Sequence, residues 1–401
     1  MPLKNLLFIT WDADSPHYMQ GLFLPILAGL QSRGYQVHVL HHSSLSPQDV
    51  DALGEQAAGA GMNYHHVIIK RSPVGFIKAF MQGVRFIRSY RRKHAEGILM
   101  PRSLINSAVM RVAGTGNHTV VFDADGLKLE ERLDFAGWKE SDLKYKAFRN
   151  IEHWVHKKAQ VILTRSMAAK RVLINNYPFL ENTPIFKVVN GKNTEQFQPL
   201  DPIKREAGRA SLGLKKEDLL VVYCGTVAPQ YCLNEMLQWF GWLKESKPQA
   251  KFLILTGDAQ KVKAHAAFED LKGSLILNTV HAADIPQWLG LADVSLALRR
   301  ASHSMQGVAP IKIGEYLLCG LPVIASRGIG DTEADLKDLN ASQVINEQDE
   351  TELRRSLNTY LASLELGQEV PLKESVEAGK KHYSLEAAVD SYMAALEQVR
   401  N

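Results

Sequence analysis

Lys312 and Glu315 stand three residues apart within 310–326 (PIKIGEYLLCGLPVIAS), so one ammonium and one carboxylate share a helix face. Tyr316, Leu317 and Leu318 turn apolar surface the other way, Cys319-Gly320 ends the turn, and residues 321–325 read as a buried strand. The pair is either solvated surface or a set of one donor and one acceptor for a polar ligand. A second acidic group, Asp123-Ala124-Asp125-Gly126, follows another apolar run; its carboxylates can cap backbone N–H groups in a turn or face a ligand.

The elements that must position these residues alternate strand and helix. Apolar runs at 6–10, 36–40, 65–69, 97–100, 119–122, 160–163 and 186–189 are separated by helical patterns such as 19–32 and 143–158. In the second half, 219–224, 252–256, 274–277, 294–298, 322–325 and 343–345 play the same part. Strands apolar on both faces and alternating with helices predict parallel sheets covered on both sides, hence an α/β chain of two Rossmann-like domains. Two such domains are expected to face a central cleft at their strand carboxyl ends, where open parallel sheets bind ligands. The prolines of Pro199-Leu200-Asp201-Pro202 predict the linker, with one domain at 1–198 and the other at 199–383. The last pattern, 384–399, predicts an amphipathic helix capped by Ser384 that crosses back to the first domain.

Composition narrows the classes. The 401 residues are too many for one ordinary core, and 45% hydrophobic with 22% charged suits a globular protein. No apolar run reaches the roughly 18 residues that span a bilayer, and the start passes from a short strand into acidic residues, unlike a signal peptide, so a cytoplasmic location is expected. Three cysteines without CxxC spacing indicate neither a disulfide framework nor a zinc site, and the 14 histidines are scattered, so no metal and no cofactor are expected. His41-His42, adjacent on a strand, point their rings to opposite faces. No GxGxxG follows the first strand and no GxxxxGK[ST] occurs, which argues against an NAD enzyme and a P-loop NTPase. The basic residues lack interleaved aromatics on a recognisable module, which disfavours nucleic acid as a partner.

Several segments together carry a resemblance. Pro310-x-Lys312-x-x-Glu315-Tyr316-Leu317-x-x-Gly320-x-Pro322-Val323 is similar to the donor-binding signature of retaining glycosyltransferases of the GT-B fold, in particular the large family 4 with its bacterial envelope-polysaccharide enzymes. Residues 189–199 (VNGKNTEQFQP) resemble that family's interdomain run, with Asn193 where aspartate is usual. Residues 221–226 (VVYCGT) resemble the strand and glycine turn that open its nucleotide-binding lobe, and 285–294 resemble the helix and strand before the signature. The resemblance covers nearly the whole chain at low identity. It implies a sugar-nucleotide donor, with Glu315 accepting from the ribose hydroxyls, Lys312 near the diphosphate, and Gly225-Thr226 offering backbone N–H groups.

Three departures qualify it. The family's first glutamate would fall at Gly307, so Gln306 or a backbone group must meet the donor sugar. The usual basic residues after the glycine turn are replaced by Ala228-Pro229-Gln230-Tyr231, which leaves Arg299 and Arg300 as substitutes for the phosphate charge, or as a solvated pair. Where relatives place a catalytic-site histidine, this chain has Asp123 and Asp125, assigned to the acceptor side. The loop 11–21 adds Asp14, His17 and Tyr18 as candidates for acceptor or donor phosphate, with His17 a possible general base.

The expected activity is transfer of a sugar from a nucleotide-diphosphate donor to a hydroxyl of a glycan or lipid-linked acceptor, with retention and without a metal, in envelope polysaccharide synthesis. The alternatives are a sugar-nucleotide epimerase of the same fold and a non-catalytic sugar-nucleotide-binding or scaffold subunit. Residues 1–200 carry 25 Lys and Arg against 16 Asp and Glu, and the remainder 22 against 27. Residues 75–94 place Phe76, Ile77, Phe80, Met81, Val84 and Ile87 on one side of a basic helix. That stripe is expected to pack on the first sheet or to lie on the anionic inner face of a membrane as a peripheral contact, and the two are compatible if the stripe faces the sheet while the arginines attract phospholipid or a lipid diphosphate.

Overall fold

The computed structural model describes residues 4–12, 18–364 and 369–400. The seven strands of the first sheet are β1 Lys4–Trp11, β2 Tyr35–Ser43, β3 Asn63–Ile68, β4 Ile98–Pro101, β5 Thr119–Asp123, β6 Val161–Thr164 and β7 Ile185–Lys187. They lie in the order β3-β2-β1-β4-β5-β6-β7. The second sheet holds β8 Leu220–Cys224, β9 Lys251–Leu255, β10 Leu275–Asn278, β11 Val294–Ala297, β12 Val323–Ser326 and β13 Gln343–Ile345, in the order β10-β9-β8-β11-β12-β13. Every pairing is parallel, as strands apolar on both faces require: Leu6, Leu7, Phe8 and Ile9 on β1, and Val221, Val222 and Tyr223 on β8, are all sealed from solvent. In each sheet the strand order reverses direction once, at β1/β4 in the first and at β8/β11 in the second. Those are the points where a parallel sheet opens a crevice beyond its carboxyl ends.

The chain divides into two compact units, one of residues 1–190, 303–308 and 388–401, the other of 191–302 and 309–387. The division falls ahead of the prolines at 199 and 202. Lys192 N–H donates to the Tyr383 carbonyl and Leu385 N–H donates to the Lys192 carbonyl, which ties the chain to the second unit from that point on. Ser384 caps the last helix, Leu385–Glu397, accepting from Ala387 N–H at 3.0 Å, and residues from 388 onward belong to the first unit.

The basic helix, Pro73–Lys93, departs from its expected stripe. Its buried face is Gly75, Ala79, Gly83, Val84, Ile87 and Tyr90. Small residues lead that face because the sheet comes close: a Cβ on Gly83 would meet His42 Nε2 at 2.4 Å. Of the six apolar residues on the expected side, Val84 and Ile87 are buried and Phe80 half-buried, while Phe76, Ile77 and Met81 stay exposed. No helix among the described residues is long and apolar enough to cross a membrane.

Candidate functional site

Both reversal points carry charged side chains. In the first unit β1 hands over to Asp12, whose N–H donates to the His42 carbonyl, and β4 hands over to Arg102. Arg102 Nη1 donates to Asp12 Oδ1 at 3.0 Å and Nη2 to Asp125 Oδ2 at 2.6 Å. Lys128 lies 3.4 Å from that same Asp125 oxygen. His41 Nε2 stands 3.4 Å from Asp12 Oδ2, with its Nδ1 on the Tyr64 hydroxyl at 2.7 Å. His42, on the opposite face of β2, stacks on Trp11.

Behind Asp125, Asp123 is fully buried: its Oδ2 accepts from Arg165 Nη2 at 2.8 Å and its Oδ1 from Asp125 N–H at 3.1 Å, with the Tyr392 hydroxyl at 3.4 Å. Burial alone would raise the Asp125 carboxyl, but Arg102, Lys128 and Arg165 outweigh it and hold it well below the usual range. Asp12 is lowered against the same burial by His41 and Arg102. Of the two acids assigned to the acceptor side, Asp125 retains solvent access, with 15% of its side chain exposed, and Asp123 has none. Asp125 and Ser103, the residue after Arg102, both take left-handed backbone, at φ 50° and 69°, a cost tolerated where packing fixes a site.

Residues 303–308, with Gln306 and Gly307, belong to this unit, whereas Lys312 belongs to the second. Ser166 Oγ donates to the Gln306 carbonyl, and Asp134 accepts from Ser304 N–H at 2.9 Å. A Cβ on Gly307 would lie 2.6 Å from Leu127 N, and one on Gly126, itself at φ +89°, 2.8 Å from Gly307 O. Backbone meets backbone there, so a side chain at 307 would collide with the chain at 127. Tyr18 is exposed; Asp14 and His17 lie outside the described residues.

In the second unit, β8 ends at Cys224 and turns through Gly225 at φ +148°. The turn needs glycine for that backbone conformation, and a Cβ there would press on Lys312 Nζ at 2.7 Å, the mobile end of that side chain. Thr226 is exposed, and its carbonyl accepts from the Tyr223 hydroxyl at 2.6 Å. Lys312 donates to that hydroxyl at 3.2 Å and sits over two rings, 4.3 Å from the centre of Tyr223 and 4.5 Å from that of Tyr231. Arg299 lies over the other ring of the pair, 5.1 Å from Tyr231. Burial pushes the Lys312 ammonium down to about 8, helped by Arg299 and opposed by Cys224 and Glu315. Arg300 is exposed and turned to Glu235 at 3.2 Å, so of the two arginines only Arg299 faces Lys312.

The helix carrying Lys312 and Glu315, Ile311–Leu318, is fixed from two sides. Cys224 N–H donates to the buried Tyr316 hydroxyl at 2.8 Å, which ties it to β8. On its back lies the helix Glu369–Tyr383, approaching so closely that a Cβ on Gly314 would meet Tyr383 at 2.6 Å and one on Gly379 the Leu318 N at 2.8 Å. Glu315 pairs with Lys192 at 2.8 Å. Sequence reasoning passed over Lys192, Tyr223, Tyr231, Arg102 and Arg165. Lys192 and Tyr231 lie inside segments quoted for other residues; the arginines follow apolar strands, a position that alone could have marked them.

Residues 204–370 match the family model of glycosyl transferases group 1. A curated relative, the putative glycosyltransferase EpsD of Bacillus subtilis (strain 168), is 25% identical over 145 residues. That match spans 36% of this chain and 36% of the relative, about a third of its length. Among solved structures, Anabaena Alr3699/HepE in complex with UDP and glucose superposes with a TM-score of 0.73 at 14% identity, covering 98% of this chain and 99% of that one. A glycosyltransferase from Rickettsia africae ESF-5 gives 0.75 at 14% identity over 100% and 99%. WaaG, a glycosyltransferase involved in lipopolysaccharide biosynthesis, gives 0.67 at 15% over 96% and 98%. At these identities the likeness establishes the fold, the two-sheet α/β architecture of GT-B glycosyltransferases.

Proposed function

We propose that this chain is a glycosyltransferase that takes a sugar from a nucleotide-diphosphate donor to a hydroxyl of a glycan or lipid-linked acceptor. The observation that carries the reading is the meeting of Lys312, Arg299 and Glu315 at the β8/β11 reversal. Two cations there share one tyrosine ring and repel each other, an arrangement that a bound diphosphate relieves. Glu315 supplies the acceptor for ribose hydroxyls, and the glycine turn at 225 lets the phosphates approach backbone. As the glycosidic bond breaks, charge grows on the leaving diphosphate, and Lys312 and Arg299 are placed to stabilise it. Retention of configuration and a role in envelope polysaccharide are part of the proposal through the sequence resemblance, supported by relatives such as WaaG whose own name ties it to lipopolysaccharide.

The acceptor is assigned to the first unit, around Asp125 and Arg102. The exposed Phe76, Ile77 and Met81, with Lys78, Arg85 and Arg88 on the same helix, support peripheral contact with an anionic membrane, where a lipid-linked acceptor would reside. One observation favours a second reading, a non-catalytic sugar-nucleotide-binding subunit: the packing at Gly307 leaves no room for the carboxylate that many relatives present to the donor sugar.

The test is thermal shift of the purified chain against a panel of sugar nucleotides, followed by assay of donor hydrolysis and transfer. A shift that is lost in Glu315→Ala, together with turnover, is expected. No shift with any donor overturns the reading; a shift without turnover selects the binding subunit.

A further inference from the structure

Lys192 has no assigned role, yet its ammonium meets the one carboxylate of the proposed donor site. Its Nζ lies 2.8 Å from Glu315 Oε1, with only 16% and 12% of the two side chains exposed. The second oxygen, Oε2, makes no ion pair or hydrogen bond among the described residues. The position of Lys192 is set before any ligand arrives. Its N–H donates to Tyr383 O and its C=O accepts from Leu385 N–H, each at 2.8 Å, and its ammonium rests over the buried ring of Phe197 at 5.2 Å. Burial raises the Cys224 thiol at the end of β8 to about 12; Glu315 adds to the rise, while Lys312 and Lys192 oppose it. The three charged side chains therefore all act at the strand's carboxyl end.

We infer that Lys192 is a positioning residue of the donor site: it caps Oε1 of Glu315 and thereby turns Oε2 toward the vicinal hydroxyls of the nucleotide's ribose. This rests on the function proposed above. A carboxylate held on one oxygen by a fixed cation loses little freedom when the other accepts hydroxyl protons, so the ribose contributes more to binding than it would against a freely rotating side chain. Lys192 also brings the local balance to three cations, with Lys312 and Arg299, against one carboxylate, a surplus suited to a diphosphate.

A cycle between side chain and ligand tests this. Affinities of UDP, GDP and ADP and of their 2′,3′-dideoxy analogues are measured by calorimetry on the full chain, using the base that binds most tightly. In the wild type, loss of the ribose hydroxyls is expected to weaken binding about tenfold or more, as for hydrogen bonds to a charged group. In Lys192→Met that ratio should fall toward one, as in Glu315→Ala, while Lys192→Arg should keep most of it. Lys192→Gln, closer in shape and polarity, takes the place of the methionine variant if the latter does not fold. A wild-type ratio retained in the methionine or glutamine variant overturns the inference while leaving the donor site standing. Absence of nucleotide binding in the wild type overturns the proposed function, and the role of Lys192 with it.

Discussion

Buried and crowded by Arg299, Lys312 loses its proton near pH 8 in the folded chain, against an ordinary lysine value of 10.5. If only the ammonium form receives the donor's diphosphate, apparent affinity scales with the protonated fraction of the free protein. That fraction is about nine-tenths at pH 7 and about one-tenth at pH 9, so the dissociation constant for UDP should rise about tenfold across the interval. The terminal phosphate ionises near pH 6, so its charge grows by only about a tenth over this interval and would act in the opposite direction. Calorimetry at half-unit steps from pH 7 to 9 measures it, with Lys312→Arg as reference, because a guanidinium stays charged throughout and subtracts any ionisation of the base. Stability carries the opposite sign. Between about pH 8 and 10.5 the unfolded chain holds this proton and the folded chain does not, so folding gains as pH rises through that window. A wild-type affinity that is flat from pH 7 to 9, or that falls equally in the arginine variant, refutes the assignment of Lys312 to the phosphates.

Gly307→Ala should destabilise the first unit by about 1–3 kcal/mol in urea unfolding, since the new methyl lands 2.6 Å from Leu127 N; a neutral result would mean the loop 303–308 can back away. Burial lowers His42 to about 4 and His156 to about 3, and both are essentially sealed from solvent. Their stabilising contribution is complete above pH 6.5 and is lost as pH falls toward those values, at up to about 1.4 kcal/mol per unit for each histidine. The melting temperature should drop over that range, and His156→Leu should shallow the slope. Pelleting with anionic vesicles at low salt should capture the wild type and release Ile77→Asp; equal pelleting of both would remove the helix Pro73–Lys93 from the membrane reading.

The strands were legible because fully buried parallel strands are apolar on both faces, a pattern that survives without any knowledge of their order. The helix bearing Lys312 and Glu315 was legible for a similar reason: its apolar back and the glycine after it are local. What was hidden is pairing over distance. Nothing in the spacing tells that Lys192 reaches across 123 positions to Glu315, or that Arg165 neutralises Asp123. The helix Pro73–Lys93 misled because periodicity identifies an apolar stripe and says nothing of how close the sheet will come. Gly83 took the inner face because only a residue without a Cβ fits against His42 there. At Gly307 the sequence shows only that an acid is absent; that two backbones touch there is visible only in the structure.

Neither unit is a continuous stretch of chain: the first closes only with residues 303–308 and 388–401, and the second only with the helix Glu369–Tyr383 against Ile311–Leu318. During synthesis, then, the first unit leaves the ribosome without two of its pieces and closes only once residues 388–401 have emerged. A nascent chain halted at residue 370, the end of the stretch matched to the family model, would carry both Lys312 and Glu315 on a helix with its back uncovered. The two units are thus completed by consecutive stretches, the second by 369–387 and the first by 388–401, so they are expected to mature together rather than one lobe at a time.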